Sequence, residues 1–391
     1  METDRYARQK LIEWWDQERL RSASILVAGA GALGNEVLKN LALLGVGQVL
    51  VVDFDRIEPS NLSRTGLFRE SDIGRPKVEV AGEAVTALNP DVTVETLYGD
   101  VFYDVGLGYY RHKTLVIGCL DNLAARSQVG RSCGLAGVPY LDGGIWSLGG
   151  EVRWFSTSEG PCFDCMLSAE DREHASERRS CTGFRLVDEQ ETQHVSTLVT
   201  TAAIIAGMLV QEAVKYLCGY PITAGKAIVY NGQVLTLHRA ELTRNPRCSS
   251  SHSPYQKVIE LAAPVTQMTA RQLFSLARAA LKSDGQGTME AASAPPGGDQ
   301  GLSLQLGRDF LLELRCLRCG RAQEVNQHWD KVLEQERICP FCGAARHAEV
   351  IRALDEQSLY IDRPLSTLGV PPGEVLAVYA GNDLLLFELG V

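Results

Sequence analysis

The stretch Ser24-Ile-Leu-Val-Ala-Gly-Ala-Gly-Ala-Leu-Gly-Asn-Glu36 constrains this chain more than any other. Ile25 to Ala28 is a short apolar run that predicts a buried parallel strand. Gly29, Gly31 and Gly34 follow at G-x-G-x-x-G spacing and open a predicted helix carrying Leu38, Leu41, Ala42 and Gly45. Glycines permit a sharp turn and close approach of the backbone to a ligand. The helix N-terminus then offers free N–H groups to an anion, so the order strand, glycine loop, helix suits a nucleotide phosphate. Dehydrogenases, flavoproteins and methyltransferases share this motif, and the residues that follow must decide between them.

Gln48-Val-Leu-Val-Val-Asp-Phe-Asp55 predicts a second buried strand ending in acids. An acid at that point can hydrogen-bond both ribose hydroxyls; Asp53 is the candidate and Asp55 its competitor. A polar loop, Pro59 to Gly66, leads to Gly74-Arg-Pro-Lys77, which opens a helix to about Leu88 with proline in its first turn. Lys77 is either a solvated cation or, with Arg64, one of two cations above the glycine loop suited to a triphosphate, for which a dinucleotide enzyme has no need. Val92 to Tyr98 reads as a strand and Asp104 to Tyr110 as a short helix. Thr114 to Asn122 is a further buried strand with a polar end. Asp121 there is a candidate Mg²⁺ ligand, because Mg²⁺ takes one or two carboxylates beside phosphate oxygens and water. The alternative is an N-cap for the helix Leu123 to Ala136, a part that Asp121 or Asn122 can play. This alternation, continuing to about Val152, predicts a doubly wound, Rossmann-like, mostly parallel α/β domain. The charged, tryptophan-bearing segment 4–20 reads as a capping helix.

These residues, taken in order, resemble the adenylyltransferases that activate ubiquitin-like proteins and the sulfur carriers of thiamine and molybdopterin synthesis. The resemblance is carried by Arg5-Tyr-x-Arg8-Gln9, Gly29-x-Gly31-x-x-Gly34, Asp53-Phe-Asp55, Asn61-Leu-x-Arg64, Gly74-x-x-Lys77 and Asp121-Asn122-x-x-x-Arg126, spread over most of residues 5–245. It implies that Asp53 holds the ATP ribose, that Asn61, Arg64 and Lys77 hold the phosphates, and that Asp121 holds Mg²⁺, with Gly29, Gly31, Gly34, Asp55, Asn122 and Arg126 also in the nucleotide site. Arg8 would reach the phosphates of the opposite subunit of a homodimer. A C-terminal carboxylate would attack the α-phosphate, giving an acyl-adenylate and pyrophosphate, by catalysis that is mostly positioning and charge neutralisation. Thr65 departs from the family, many of whose members carry glutamine there.

The eleven cysteines sort by spacing. Cys162-Phe-Asp-Cys165 is half of a zinc knuckle, whose partner in the family is a second CxxC. Here Cys248-Ser-Ser-Ser-His252 stands in its place and supplies two ligands, predicting a tetrahedral Cys₃His site. Cys316-x-x-Cys319 and Cys339-x-x-Cys342, each followed by glycine (Gly320, Gly343), predict a self-contained zinc ribbon. Both zinc sites would be structural. Cys119, Cys133 and Cys218 fall on predicted strands and helices and read as structural. Cys181 sits in Arg178-Arg-Ser-Cys-Thr-Gly-Phe-Arg185, where neighbouring arginines favour the thiolate. The family places its acyl-accepting cysteine in this region, forming either a thioester or a persulfide-linked intermediate.

Residues 1–254 are thus expected to form the adenylation domain. Residues 255–391 are expected to hold a helix (Thr269 to Leu281), a flexible linker (283–301), the ribbon and a small β-rich module of ubiquitin-like character. That module would recruit the ubiquitin-like substrate or a conjugating enzyme, or else stabilise the protein or its dimer. With 48 acidic against 38 basic residues the net charge is −10, so neither nucleic acid nor an anionic membrane surface is an expected partner. CxxC spacing and the absence of an apolar N-terminal core point to a cytoplasmic protein. The function expected is ATP-dependent activation of a ubiquitin-like protein with a C-terminal glycine, followed by thioester transfer to Cys181. Sulfur-carrier adenylation is the runner-up. An NAD-dependent oxidoreductase would leave Arg64, Lys77, Asp121 and the knuckle unexplained, and a silent scaffold would have no use for the phosphate residues.

Overall fold

The computed structural model describes residues 4–156, 160–168, 197–222, 225–248, 250–283, 289–290 and 301–391. Among these the chain forms two compact units with separate apolar cores. The first comprises residues 4–102, 110–168 and 197–254, the second residues 103–109 and those from 255 onward. The segment 103–109, expected within the first domain, belongs to the second unit. There Gly108 donates its N–H to the Gly373 carbonyl at 2.7 Å and the Tyr103 hydroxyl donates to Asp330 at 2.6 Å.

The first unit is built on one eight-stranded sheet. Its strands are β1 (Ser24–Ala28), β2 (Gln48–Asp53), β3 (Thr93–Tyr98), β4 (Leu115–Gly118), β5 (Tyr140–Trp146), β6 (Gly149–Phe155), β7 (Lys226–Asn231) and β8 (Thr236–Glu241), in the order β3-β2-β1-β4-β5-β6-β7-β8. The pairs from β3 to β5 are parallel and those from β5 to β8 antiparallel. The helices are α1 (Gln17–Ser22), α2 (Ala32–Leu44), α3 (Lys77–Leu88), α5 (Leu123–Ala136) and α6 (Val199–Leu217); the short α4 (Leu107–Arg111) has its first three residues in the second unit and its last two in the first. Ile25 and Val27 of β1 share a core with Leu33, Val37 and Leu41 of α2 and Ile205, Leu209 and Ala213 of α6. Truncating one such leucine to alanine costs about 2–5 kcal/mol.

The helix expected over residues 4–20 is interrupted. A 3-10 turn at Gln9–Leu11 gives way to extended backbone at Ile12, and α1 starts only at Gln17. The Asp16 carboxylate accepts from the N–H groups of Glu18 and Arg19, which caps a new helix and ends any continuous one.

The second unit contains β9 (Val258–Pro264), α7 (Ala270–Ser283), β10 (Met289–Glu290), β11 (Leu302–Cys316), β12 (Ala322–His328), β13 (Arg346–Asp355), β14 (Val375–Ala380) and β15 (Asp383–Gly390). β9 pairs in parallel with β15, and Leu273, Phe274 and Ala277 of α7 pack into a core with Leu304, Val378 and Phe387. Strand β11 pairs with β14 through its first half, with β12 through its second, and with β13 along both. Ribbon and β-rich module therefore share one sheet instead of being joined end to end. Within the expected linker, Met289 and Glu290 pair with Leu384 and Asp383, so that part is a strand; 284–288 and 291–300 lie outside the described residues. No helix among the described residues is long and apolar enough to cross a membrane.

Candidate active site

β1 is flanked by β2 on one side and β4 on the other, so strand order reverses at β1 and β4. Ligands of such sheets bind in the crevice at the carboxyl ends of those two strands. Gly29 ends β1 with φ of +97°, where side chains are strained. A Cβ on it would lie 2.6 Å from the Cys119 carbonyl oxygen beyond β4, and one on Gly34 would lie 2.0 Å from the Gly29 carbonyl oxygen. Backbone contact therefore fixes both glycines. Gly31 differs: a Cβ there would meet nothing within 4 Å. Its small size leaves space open beside the first turn of α2, as a phosphate approaching those N–H groups requires.

Asp53 closes β2 next to this loop. Its carboxylate accepts from the Ala30 N–H at 2.7 Å and from the Asp55 N–H at 2.8 Å. Burial raises its pKa above the usual carboxylate value, against the opposing charge of Lys77. The competing acid Asp55 is exposed and accepts from the Lys77 ammonium at 2.6 Å, while Lys77 itself is buried. Lys77 is thus not the solvated cation of the plainer reading.

Asn61 is buried and its side-chain oxygen accepts from the Glu58 N–H at 3.1 Å, which shapes the polar loop. Arg64 donates to the Ser60 carbonyl at 2.6 Å. Thr65 turns inward, its hydroxyl donating to the Asn61 carbonyl at 2.9 Å. Sequence reasoning assigned no role to Asn35. It is 1% exposed, donates to the Ala30 carbonyl at 2.8 Å and accepts from the Leu67 N–H at 2.9 Å, tying the glycine loop to the loop that carries Arg64. An asparagine in the first turn of a helix after a glycine loop was the only available signal.

At the end of β4 the choice of helix cap is decided. The Asn122 side chain accepts from the Ala125 N–H at 2.8 Å and caps α5. Asp121 is exposed, with no hydrogen bond or ion pair among the described residues, and its carboxylate is free for a cation. Arg126 is already engaged within the protein. It forms a two-bonded pair with Asp142, at 3.0 and 2.5 Å, and reaches Glu151 at 3.4 Å. Burial disfavours its charge, but Asp142 more than compensates and holds the guanidinium protonated. It braces α5 against β5 and β6, so it is not a free donor for a nucleotide. Arg8 is exposed, and its guanidinium has no partner among the described residues.

The cysteine clusters have the geometry their spacing predicts. Cys162 Sγ lies 3.8 Å from Cys165 Sγ, 3.6 Å from Cys248 Sγ and 3.8 Å from His252 Nε2. A tetrahedron with metal–sulfur bonds of about 2.3 Å has edges of about 3.8 Å. In the second unit Cys316 Sγ is 3.5 Å from Cys342 Sγ, and Cys319 Sγ is 3.7 Å from Cys339 Sγ. Gly320 and Gly343, at φ of +72° and +69°, close two matching turns. Both donor sets fit zinc. Burial drives the thiols of Cys119, Cys133 and Cys218 up, so all three are poor nucleophiles. Cys181 lies outside the described residues.

Comparison with known proteins agrees with this fold. The family model described as "ThiF family" matches residues 4–250. The chain is similar to the molybdopterin-synthase adenylyltransferase of Salmonella typhimurium, 30% identical over 62% of this chain and 94% of that protein. It is similar to the sulfur carrier protein adenylyltransferase of Thermus thermophilus, 34% identical over 63% and 90%. The ubiquitin-like modifier-activating enzyme 5 of Dictyostelium discoideum is 26% identical over 60% and 62%. Among solved structures, E. coli MccB with ATP shares the fold at a TM-score of 0.53, with 21% identity over 64% of this chain and 75% of that one.

Proposed function

The chain belongs to the ThiF family, and from that premise we propose that it adenylates the C-terminal glycine carboxylate of a ubiquitin-like protein and passes the acyl group to Cys181 as a thioester. An ATP-dependent adenylyltransferase acting on ubiquitin-like or sulfur-carrier proteins is the coarser statement, and it stands on the family and its named members. The observation that carries the site is the bond from the Ala30 N–H to Asp53, next to the Lys77–Asp55 pair. It supports the reading by joining Asp53, the candidate ribose acceptor, to the glycine loop, with the buried cation Lys77 held two residues along on Asp55.

The substrate carboxylate is already ionised at neutral pH, so no general base is needed. One of its oxygens attacks the α-phosphorus, the bond from that phosphorus to the bridging oxygen breaks, and pyrophosphate leaves. Lys77 and Arg64 offset the charge moving onto the leaving phosphates, and the N–H groups of α2 hold the phosphate chain. Asp121 would hold Mg²⁺, which supplies further charge neutralisation when bound. The Cys181 thiolate then attacks the acyl carbon and AMP leaves. Arg8 acts on the site of a second copy of the chain, in a homodimer, and the two thiolate clusters hold structural zinc. The second unit is read as a recruiting element for the substrate or a conjugating enzyme, and the thiolate-rich chain as working in a reducing, cytoplasmic setting.

A protein co-substrate is supported by the surface at the carboxyl edge of the parallel strands. There the β5–β6 and β7–β8 turns expose Trp146, Leu148, Val234 and Leu235, beside Ile204 of α6. The turns are joined by the Gly232 N–H donating to the Leu148 carbonyl at 2.6 Å. The runner-up, sulfur-carrier adenylation with a sulfur-linked Cys181, is favoured by the near-complete match to the two bacterial adenylyltransferases.

ATP–pyrophosphate exchange with small β-grasp proteins tests the proposal. Exchange that needs a free C-terminal glycine and disappears in Asp121→Ala supports carboxylate adenylation; no exchange with any such partner despite ATP binding removes it. A reductant-sensitive conjugate surviving in Cys181→Ala would show that another residue accepts the acyl group.

A further inference from the structure

Asp164 stands between two of the metal-ligand candidates, in Cys162-Phe-Asp-Cys165, and is 1% exposed. Its carboxylate is shared three ways. One oxygen accepts from the hydroxyl of Ser127, a fully buried residue of α5. The other accepts from the Arg131 guanidinium, also on α5, and from the Ser250 hydroxyl, two residues from Cys248. The two halves of the cluster, from chain segments 86 residues apart, are thus joined to each other and to α5 through one carboxylate. Packing follows the same line. A Cβ on Gly130 of α5 would fall 2.8 Å from Phe163 Cβ, and the Arg126 guanidinium lies 5.2 Å over the Phe163 ring.

We infer that Asp164 is a positioning residue that couples the Cys₃His metal cluster to α5, and through the capped first turn of that helix to Asp121. The inference rests on the reading of Asp121 as the Mg²⁺ carboxylate. From Asn122, the cap that directly follows Asp121, to Ser127 the helix advances only about 8 Å, and the Asn122 cap fixes its first turn. A displacement of α5 at Ser127 therefore carries to Asn122 and shifts the adjoining Asp121. Loss of the metal leaves the two halves held by weak thiol and imidazole contacts and by the Asp164–Ser250 bond. As the halves loosen, the buried carboxylate loses its Ser250 donor, which carries a cost of its own. Metal at the knuckle thereby sets how well the nucleotide site holds its cation, although none of the knuckle ligands belongs to that site.

The test is Asp164→Asn in the full zinc-loaded chain, read three ways: zinc content, hydrogen exchange of the α5 amides with those of α2 as internal control, and the Mg²⁺ concentration giving half-maximal ATP–pyrophosphate exchange. The expected result is retained zinc and faster exchange confined to α5. Half-saturating Mg²⁺ should rise about tenfold, the size typical of an outer-shell change at a metal site, with the rate at saturating Mg²⁺ preserved. A merely structural role would lower the rate at all Mg²⁺ concentrations and leave the midpoint unmoved. Retained zinc with unchanged α5 exchange and an unchanged midpoint overturns the inference. If Asp164→Asn does not fold, Ser127→Ala removes only the α5 end of the link and is read in the same way. Should the wild type show no pyrophosphate exchange, the proposed function fails. Stripping zinc from the wild type still decides the coupling: loss of protection in α5 supports it, and unchanged protection overturns it.

Discussion

The Lys77 ammonium lies 2.6 Å from the Asp55 carboxylate, with the lysine side chain 10% exposed and the aspartate 49%. A buried cation held by a half-exposed anion can be handed to an incoming phosphate without first being dehydrated. Lys77→Met should lower the adenylation rate by about two to three orders of magnitude, as loss of a preorganised electrostatic group does. Pyrophosphate exchange per mole of folded enzyme is the measurement. A rate within twofold of wild type would make the pair a stabilising contact only.

Asp53 predicts a pH dependence. Burial raises its folded pKa, so as pH falls it takes up a proton earlier than an unfolded aspartate does. ATP affinity should therefore weaken on acidification from a pH above about 3.9, the ordinary value, and Asp53→Ala should bind weakly at every pH. The sign for folding is opposite. The ionised group costs stability at neutral pH, and that cost disappears as pH falls through the raised folded pKa. Titrating ATP binding and denaturant midpoints side by side separates the two.

Arg126 is buried against a fully buried Asp142. Arg126→Met leaves that carboxylate with the Tyr140 hydroxyl, at 2.8 Å, in place of a charged partner. A loss of about 3–5 kcal/mol is expected, the size found when one member of a buried pair is removed. Urea unfolding measures it. If Arg126 instead bound nucleotide directly, ATP affinity would fall with stability little changed.

His328 in the second unit is 9% exposed between Tyr103 and Phe310, and burial, followed by Arg308 and Lys331, pushes its pKa down to about 4. Its neutral form is the folded form. Stability is full above the unfolded value near 6.5 and falls as pH drops from there toward 4, by roughly 2–3 kcal/mol. The acid-induced loss should be absent in His328→Phe, monitored by thermal unfolding between pH 7 and 4.

The two thiolate clusters should be separable. Cys316→Ser and Cys162→Ser should each remove one equivalent of zinc, measured by mass spectrometry, because the two ligand sets share no residue. Only Cys162→Ser is expected to alter the Mg²⁺ dependence of exchange.

Much of the candidate site was legible because its parts are local. Gly29 and Asp53 fall at strand ends and Asp121 in the turn after β4, where a period of buried residues followed by a polar one reveals the boundary, and Gly34 lies in the first turn of the helix after the glycine loop. The Cys₃His and ribbon clusters were legible because ligand spacing is set by the turn that presents the ligands. Asn35, Asp142 and Asp164 carried no comparable signal. Each has an unremarkable sequence neighbourhood, and its role comes from partners 16 to 86 residues away. Arg126 falls with the nucleotide residues because its motif is contiguous with Asp121, yet its guanidinium is paired with Asp142, sixteen residues away, which the motif does not reveal.

By itself the sequence determined the order of strands and helices from β1 to α5, the glycine turn and the two Cys/His clusters, all properties of chain segments a few residues long. The tertiary structure alone decided that Asn122 and not Asp121 caps α5, that Lys77 is buried on Asp55, and that ribbon and β-rich module share strand β11. It alone also placed segment 103–109 in the second unit. Those outcomes depend on which buried charges and unpaired backbone groups find partners across long sequence separations, a competition settled only when the whole core is packed.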